Sequence, residues 1–281
     1  MKKIRKLVIP VAGMGTRFLP ITKSVPKEML PIVDKPTIEL LLEEAVNAGI
    51  EEVLFVTRKE KECITKHFTK DIALEEKLIK NNKIDLLNKI NHLHDMIKIT
   101  TVYQEVPLGS GHAISLAESF INNEPFAVMY GDDLIKGGCA LKELIEYYEK
   151  YDCNVIGVSE VPRELTNKYG IVSLDENLKI KEIVEKPTIE EAPSNLAGLG
   201  RYILKPEIFE ELKNIKKSNN EYQLTDAMAL LMKKQDFYAC KFEGTYFDIG
   251  SQLGYVKANI AYALERTEIK EELTEFMKKI I

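Results

Sequence analysis

The sequence predicts an α/β fold in which a mostly parallel central sheet carries helices on both faces. Short apolar segments of strand length alternate with segments of helical period as far as residue 158. This alternation is typical of βαβ units, whose crossover connections make the strands parallel. Beyond Pro162, three short strand-like segments follow one another with tight loops between them. They indicate a small mixed or antiparallel addition to the sheet.

The first half of the chain supplies the alternating elements. A regular helix is excluded before about Thr37 by four prolines, Pro20, Pro26, Pro31 and Pro36. Residues 59 to about 96 are rich in lysine and glutamate and predict a helical insertion on the surface. The other predicted elements are strands at 7–11, 53–56, 97–103, 126–130 and 154–158, and helices at 37–48, 112–122 and 141–151.

The second half adds the antiparallel strands and the last helices. We predict strands at 171–174, 180–184, 197–204 and 237–242, and helices at 206–213, 222–234 and 251–265. An amphipathic tail over 268–281 is a candidate contact with a second subunit. Because no linker, repeat or low-complexity segment divides the chain, we expect one domain over 1–265, with 266–281 as a helical tail.

The composition is that of a soluble globular protein. Of the 281 residues, 45% are hydrophobic and 30% are charged, and the net charge of −5 disfavours nucleic acid or an anionic membrane as a partner. No segment approaches the roughly 20 apolar residues that a membrane helix needs. The basic residues at positions 2–6 precede an apolar run that is too short for a signal peptide. The four cysteines form no C-x-x-C pair, which favours reduced thiols and a cytoplasmic location.

A glycine loop with nearby cations follows the first strand. Gly13 and Gly15 allow positive φ and a close approach of backbone amides to an anion. The loop matches neither the dinucleotide fingerprint nor the P-loop pattern. Taken alone, a Gly-x-Gly is more often a structural turn, but Arg17 and Lys27 within a proline-rich segment favour phosphate binding.

Acidic residues at strand ends predict a metal site. Asp132 and Asp133 follow a buried strand, and because neighbouring strand residues point to opposite sides, we expect only one of them to face a given ligand. Asp248 is similarly placed before Gly250. Two converging carboxylates suit Mg²⁺, although each aspartate alone could equally be a turn or cap residue. His92 and His94 are more simply surface residues than metal ligands.

Two further signals are ambiguous by themselves. Glu185 and Lys186 precede a proline at a strand end, where a solvated ion pair is the ordinary interpretation. Gln104, five residues before Gly109, could read a pyrimidine edge, because an amide donates and accepts at once. Amides also cap turns, so both interpretations stay open.

The motifs together resemble those of the bacterial sugar-1-phosphate nucleotidylyltransferases. The signature is carried by Gly13-Met-Gly-Thr-Arg17 and Pro26-Lys-Glu-Met-Leu-Pro31. Similarity to the UTP–glucose-1-phosphate uridylyltransferases of this family rests on residues 32–36, 124–128, 184–187, 192–197, 200–204 and 223–227. The resemblance covers residues 4 to 265, and so many motifs in order make it specific.

The resemblance implies a Rossmann-like three-layer fold and the Mg²⁺-dependent reaction of UTP with glucose 1-phosphate to give UDP-glucose and pyrophosphate. The nucleotide would be bound by the backbone of Ala12, Gly13 and Gly15, and its uracil by Gln104 and Gly109. Asp132 would be the principal Mg²⁺ ligand and Asp248 the second. The glucose hydroxyls would meet Asp133, Gly170 and Glu185. The catalytic group would comprise Arg17 and Lys27 on the triphosphate, Asp132, and Lys186 on the sugar phosphate. A homodimer or homotetramer is implied as well.

The chain departs from the family pattern at three places. Arg58 stands where a glycine is usual, so we expect that turn to differ. Ser110 replaces a leucine beside Gly109, a change that we expect to be tolerated. Residues 218–221 replace a glycine-rich approach to Gln223, which puts a backbone phosphate contact from that loop in doubt. Two alternatives stay open, a thymidylyltransferase using dTTP and a regulatory subunit that binds sugar nucleotides without turnover.

Overall fold

The computed structural model describes residues 2–218 and 220–280, and in these residues it contains thirteen strands and eleven α-helices. The strands are β1 (Lys6–Pro10), β2 (Pro31–Ile32), β3 (Lys35–Pro36), β4 (Glu52–Thr57), β5 (Lys98–Tyr103), β6 (Phe126–Met129), β7 (Asp133–Lys136), β8 (Asn154–Glu160), β9 (Gly170–Leu174), β10 (Ile180–Glu185), β11 (Leu196–Leu204), β12 (Phe237–Lys241) and β13 (Thr245–Asp248). The helices are α1 (Thr37–Asn47), α2 (Glu62–Lys66), α3 (Ile72–Lys80), α4 (Ile84–Asn91), α5 (Ser110–Ser115), α6 (Glu118–Ile121), α7 (Ala140–Tyr151), α8 (Ile208–Asn214), α9 (Leu224–Leu231), α10 (Gln252–Ala263) and α11 (Thr267–Ile280).

Nine strands form one mixed, mostly parallel sheet. β1 lies inside it, parallel to β4 on one side and to β6 on the other, with Leu7 opposite both Val53 and Ala127. β5 extends the parallel part beyond β4, and β12 runs parallel to β8. β11 is antiparallel to β6, β8 and β9, and β10 is antiparallel to β9. The predicted antiparallel addition to a parallel sheet is confirmed.

β11 is the strand at which the sheet divides. One edge of β11 pairs with β8, and the other edge pairs first with β9 and then with β6. β9 begins opposite Gly198 and β6 ends opposite Arg201, and the register of β11 with β8 shifts between Gly198 and Tyr202. Gly200, between these positions, has φ of +54°, which favours glycine. A gap is therefore left between the ends of β6 and β9, and the part of β11 that faces this gap forms one wall of a cleft.

Helices cover both faces of the sheet, so the molecule has three layers. On one face, apolar side chains of α1, α7 and α10 pack with those of β1 and β4. On the other face, α5, α6, α8 and α9 do the same against β6, β8 and β11. Burial of these apolar faces is the dominant favourable term in folding. The α/β class and the helices on both sides agree with the prediction.

The helical insertion is partly buried rather than only a surface feature. It contains α2, α3 and α4, and Ile64, Phe68 and Leu93 join the core beneath α1. α3 and α4 expose most of their length, as the charged composition predicts. In the part of the chain described, no helix combines the length and apolar character needed to cross a membrane.

Most predicted elements agree with the structure to within three residues, but two expectations were wrong or incomplete. The helix predicted at 112–122 is split into α5 and α6, because the amide of Ala117 bonds the carbonyl of Ile114, which tightens the backbone there. Four short strands were not predicted: β7 pairs with β13, and β2 with β3, each pair as a separate antiparallel ribbon. The division into 1–265 and 266–281 stays a prediction.

Candidate active site

A cleft of about 750 Å³ opens at the carboxyl ends of β1 and β6 and along the gap between β6 and β9. Ligands of open α/β sheets bind at this end of the strands. The cleft is lined by every residue that the sequence nominated: Ala12, Gly13, Gly15, Arg17, Lys27, Gln104, Gly109, Asp132, Asp133, Gly170, Glu185, Lys186 and Asp248. The structure therefore brings these thirteen residues together, although their roles stay proposals.

The glycine loop leaves β1 as an irregular segment. Gly15 has φ of +65°, and its carbonyl accepts a hydrogen bond of 2.8 Å from the Thr22 hydroxyl. A Cβ added at Gly13 would meet no atom within 4 Å, so the backbone there is open to a ligand. Short 3-10 turns at 16–18, 21–23 and 27–29 follow, and the first α-helix begins at Thr37. The prolines exclude a helix as predicted, and Arg17 and Lys27 of this irregular segment line the cleft.

Two cations and two carboxylates meet in the centre of the cleft. Lys27 Nζ donates to Asp132 Oδ2 at 2.5 Å. Arg17 lies between the carboxylates, with Nη2 3.6 Å from Asp132 Oδ2 and Nη1 3.6 Å from Asp248 Oδ2. A Cβ on Gly250 would stand 2.6 Å from Asp132 Oδ2 and 3.1 Å from Asp248 Oδ1. The two acids thus converge on one small space that only a glycine leaves open.

The opposite charges in this group stabilise the ionised forms of one another. Burial alone would raise the pKa of Asp132, but the Lys27 ammonium and the Arg17 guanidinium hold it below its usual value. Burial alone would lower the pKa of Lys27, but the Asp132 and Glu28 carboxylates raise it. Asp132 is therefore an anion and Lys27 a cation throughout the neutral range.

Asp133 lines the cleft beside Asp132, and the expectation that only one of the two faces a given ligand stays a prediction. β6 ends at Met129 and Asp132 lies in the turn before β7, so strand alternation does not separate the two side chains. The Tyr246 hydroxyl donates to Asp133 Oδ1 at 2.6 Å. Burial, with the neighbouring Asp132 charge, raises the pKa of Asp133 to about 7.

Glu185 and Lys186 lie at the end of β10, across the cleft from the glycine loop. Thr225 at the start of α9 donates to Glu185 Oε2 at 2.7 Å, which fixes this carboxylate. A Cβ on Gly170 would lie 3.3 Å from the same oxygen. Lys186 has φ of +44°, and its Nζ is 3.6 Å from Glu185 Oε1 with the side chain half exposed. Its ammonium is thus available to an anionic ligand.

Gln104 is buried at the other end of the cleft. Its Nε2 donates to the Gly109 carbonyl at 3.3 Å and lies 2.8 Å from Nδ1 of His112, whose pKa is lowered by burial. Gly109 has φ of +104°, and a Cβ there would stand 2.5 Å from the carbonyl oxygen of Tyr222. Glycine is therefore required at this position by both conformation and space.

Several residues that line or support the cleft were not nominated from the sequence. Thr225 lies inside the Gln223–Ala227 motif, and Tyr246 stands two residues before Asp248 on β13. Residues at i and i+2 of a strand share a face, so the position of Tyr246 was a usable signal. Thr225 and Glu185 are 40 positions apart, so no local sequence pattern indicates their contact.

The departures from the family pattern are accommodated locally. Arg58 has an extended backbone, which any residue adopts, and its Nε lies 3.2 Å from Glu60. The Ser110 hydroxyl donates to Gln223 and accepts from the amide of Leu224, so it joins the starts of α5 and α9. In the 218–221 segment, Asn219 lies outside the described residues.

The histidines of the insertion lie apart from the cleft. His92 comes near two carboxylates of α1, Glu39 and Glu43. The Lys35 ammonium already pairs with both of these acids, so their charge is compensated. His94 lies 3.0 Å from Asp95 instead. The sequence-based interpretation of His92 and His94 as surface residues stays a prediction.

Comparison with known proteins identifies the family. The family model described as "Nucleotidyl transferase" matches residues 6–265. A UTP–glucose-1-phosphate uridylyltransferase of Staphylococcus epidermidis is 47% identical over 286 aligned residues, which cover 100% of this chain and 99% of the relative.

Solved structures agree with this match. The UTP-bound UGPase from Acinetobacter baumannii has a TM-score of 0.91 at 39% identity, covering 99% of this chain and all of that one. A UDP-glucose pyrophosphorylase complexed with UDP-glucose has a TM-score of 0.85 at 43% identity, covering 94% of this chain and all of that one. The chain therefore belongs to the nucleotidyl transferase family, alongside the UTP–glucose-1-phosphate uridylyltransferases.

Proposed function

We propose that the protein transfers the uridylyl group of UTP to glucose 1-phosphate, releasing pyrophosphate and forming UDP-glucose. The observation that carries the proposal is the meeting of Arg17, Lys27 and two aspartates in one cleft that faces Lys186. The Staphylococcus epidermidis relative is a UTP–glucose-1-phosphate uridylyltransferase, and the two solved structures are complexes with UTP and with UDP-glucose, which supports the same substrates here.

The chemistry asks for positioning and charge compensation rather than a general base. A phosphate oxygen of glucose 1-phosphate is already anionic and attacks the α-phosphorus, while the bond to pyrophosphate breaks in line. The obstacle is the repulsion between two highly charged anions. Arg17 and Lys27 reduce it at the triphosphate, and Lys186 reduces it at the sugar phosphate. Because these groups are held before the substrates arrive, little reorganisation is needed in the transition state.

A divalent metal, which nucleotidyl transferases generally use, fits the acid pair. Asp132 and Asp248 offer hard oxygen ligands around the space beside Gly250, and the low pKa of Asp132 keeps one of them anionic. Mg²⁺ prefers such a small set of carboxylates and takes its remaining ligands from water and phosphate. We therefore propose Mg²⁺, held by Asp132 as principal ligand and Asp248 as the second. The metal would neutralise phosphate charge.

The remaining nominated residues divide between the two substrates. On the nucleotide side, the backbone of Ala12, Gly13 and Gly15 approaches the phosphates, and Gln104 with Gly109 meets the uracil. On the sugar side, Glu185, held by Thr225, accepts from glucose hydroxyls, and Asp133 and Gly170 complete that wall. A raised pKa lets the Asp133 carboxyl also donate a hydrogen bond near neutral pH.

The test is a substrate panel. Pyrophosphate release by the purified protein is measured with Mg²⁺, glucose 1-phosphate and each of UTP, dTTP, ATP and GTP. We expect kcat/KM to be highest for UTP. The Asp132→Ala variant should lose the Mg²⁺-dependent rate. Preference for dTTP would make the protein a thymidylyltransferase. Tight binding of UDP-glucose without turnover for any pair would make it a regulatory binder.

We also propose a cytoplasmic homodimer or homotetramer in which α11 makes subunit contacts. Phe276 and Ile280, four residues apart on α11, are 57% and 66% exposed, which leaves an apolar stripe on this helix. The nucleotidyltransferase domain would end at residue 265. Sedimentation of a chain truncated after Leu264 should show fewer protomers per particle than the full chain. An unchanged number of protomers would remove α11 from the contact.

A further inference from the structure

A buried ion pair lies directly behind the phosphate end of the cleft. Lys61, from the helical insertion, extends its side chain beneath the glycine loop. Its Nζ donates to the Val11 carbonyl at 2.6 Å and to the two carboxylate oxygens of Glu28 at 2.8 and 3.1 Å. The Glu28 side chain is fully buried and that of Lys61 is 10% exposed. All three contacts of the ammonium are therefore short and shielded from water.

This pair joins three segments that the cleft depends on. Val11 is the residue before Ala12 and Gly13, at the root of the glycine loop. Glu28 is the neighbour of Lys27, and its Cγ lies 3.3 Å from the point where a Cβ on Gly131 would stand, so it packs against the turn that carries Asp132. Lys61 thus holds the glycine loop, the lysine segment and the aspartate turn at one point, although it does not itself line the cleft.

Such a pair is costly to bury. Taking two charges out of water is strongly unfavourable, and apolar residues of similar volume are often equally or more stable in place of such a pair. Burial opposes both charges here, since it raises the pKa of Glu28 and lowers that of Lys61. A gain in stability alone is therefore a weak explanation for the pair, whereas its position beside Lys27 suggests a role in the site.

Lys27 is the group that this pair positions. Its chain neighbour Glu28 is held by two hydrogen bonds from Lys61, and Lys27 Nζ itself donates to Asp132 Oδ2 at 2.5 Å. Loss of the Lys61 side chain would therefore remove an anchor of the backbone segment that carries Lys27.

We propose that Lys61 is a positioning residue, which acts through Glu28 and the Val11 carbonyl to hold Lys27 and the glycine loop against the triphosphate of the nucleotide. The proposal rests on the proposed function for its substrate. It gives the helical insertion a role in the reaction through a residue that contacts no substrate. A misplacement of about 1 Å at a reacting centre costs about 100-fold in rate, which sets the scale of the effect.

The experiment separates positioning from stability with a charge-neutral double variant. Lys61→Met leaves Glu28 as an unpaired buried acid and should lower both the Tm and the turnover number. Adding Glu28→Gln removes that unpaired charge, so the double variant should recover most of the Tm. It should still turn over about 10- to 100-fold more slowly than the wild type with UTP and glucose 1-phosphate. Lys59→Met, two residues away and exposed, is the matched control and should change neither quantity.

The outcomes decide the proposal even where one variant fails. If Lys61→Met does not fold, the double variant carries the test, because it buries no unpaired charge. Turnover that recovers together with the Tm would overturn the proposal, since the pair would then serve stability alone. If the wild type releases no pyrophosphate, the proposed function fails, and crystal structures of the wild type and the double variant still test the positioning. Lys27 Nζ should move beyond about 3.2 Å from Asp132 in the double variant, and an unchanged contact would refute the inference.

Discussion

Replacing Gly250 by alanine tests the convergence of Asp132 and Asp248 with the smallest possible change. The added methyl would stand 2.6 Å from Asp132 Oδ2 and 3.1 Å from Asp248 Oδ1, where ordinary contacts begin at 3.4 Å. The Arg17 guanidinium, at 2.8 Å, is the third neighbour. All three atoms are the ends of side chains, so the carboxylates and the guanidinium must retreat while the backbone stays in place.

The expected loss of rate follows from these distances. Asp132 Oδ2 must retreat by about 0.8 Å to reach ordinary contact, which exceeds the ~0.5 Å tolerance of a catalytic arrangement. A displacement of this order costs about 100-fold in rate, or about 2.7 kcal/mol. The fold should be little affected, because the backbone at Gly250 lies outside the left-handed region. Alanine also reduces the entropy of the unfolded chain by about 0.4–1 kcal/mol, which offsets part of the crowding.

The assay is pyrophosphate release measured against Mg²⁺ concentration, with the Tm recorded for each variant. Gly250→Ala should lower the maximal rate about 100-fold, raise the Mg²⁺ concentration at half-maximal rate, and change the Tm by less than about 4 °C. Leu253→Ala, an exposed neighbour on α10, is the control and should behave as the wild type. A folded Gly250→Ala variant with wild-type rate and metal requirement would refute the convergence of the two acids on a metal.

Three other substitutions probe separate parts of the molecule. Lys27→Ala should lower turnover about 10²- to 10³-fold but UDP-glucose affinity far less, as titration calorimetry would show, and equal losses would contradict its role in the transition state. Thr225→Val removes the hydrogen bond to Glu185 and should raise the KM for glucose 1-phosphate about tenfold with the KM for UTP unchanged; a change in both would argue against a sugar-side role. Arg201→Met removes the fully buried guanidinium and leaves the half-buried Glu44 carboxylate without its two hydrogen bonds from Arg201. Thermal unfolding should therefore show a loss of about 3–5 kcal/mol, and a Tm within about 2 °C of the wild type would contradict this.

Local pattern predicted the elements well where they were long or strongly periodic. The strands of the central sheet and the helices α1 and α7 agree because apolar periodicity reports which face of an element is buried. The ribbon of β7 and β13 escaped prediction because each strand has four residues and pairs with a segment over 100 residues away. The break between α5 and α6 was missed because a single tightened hydrogen bond has no signature in composition.

The site was predictable in its residue types but not in its geometry. Both the strand-end position and the resemblance nominated Asp132 and Asp133, but strand alternation does not describe their placement, because the chain turns between β6 and β7. Thr225 and Lys61 were given no role, since each acts through a partner that is distant in sequence. Lys61 in particular lies in a lysine-rich stretch, where composition predicts a solvated charge.

The sequence by itself determined the local conformations that the site requires. Prolines exclude a helix before Thr37, and glycines permit positive φ at Gly15 and Gly109, because these preferences depend on the residue and its immediate neighbours. Only the tertiary structure decided which charges meet. Lys27 reaches Asp132 across 105 positions of the chain, and this contact exists because β1 and β6 are neighbours in the sheet. The pairing of strands is a property of the whole fold, and it turns a glycine loop with nearby cations into a cleft where opposite charges converge.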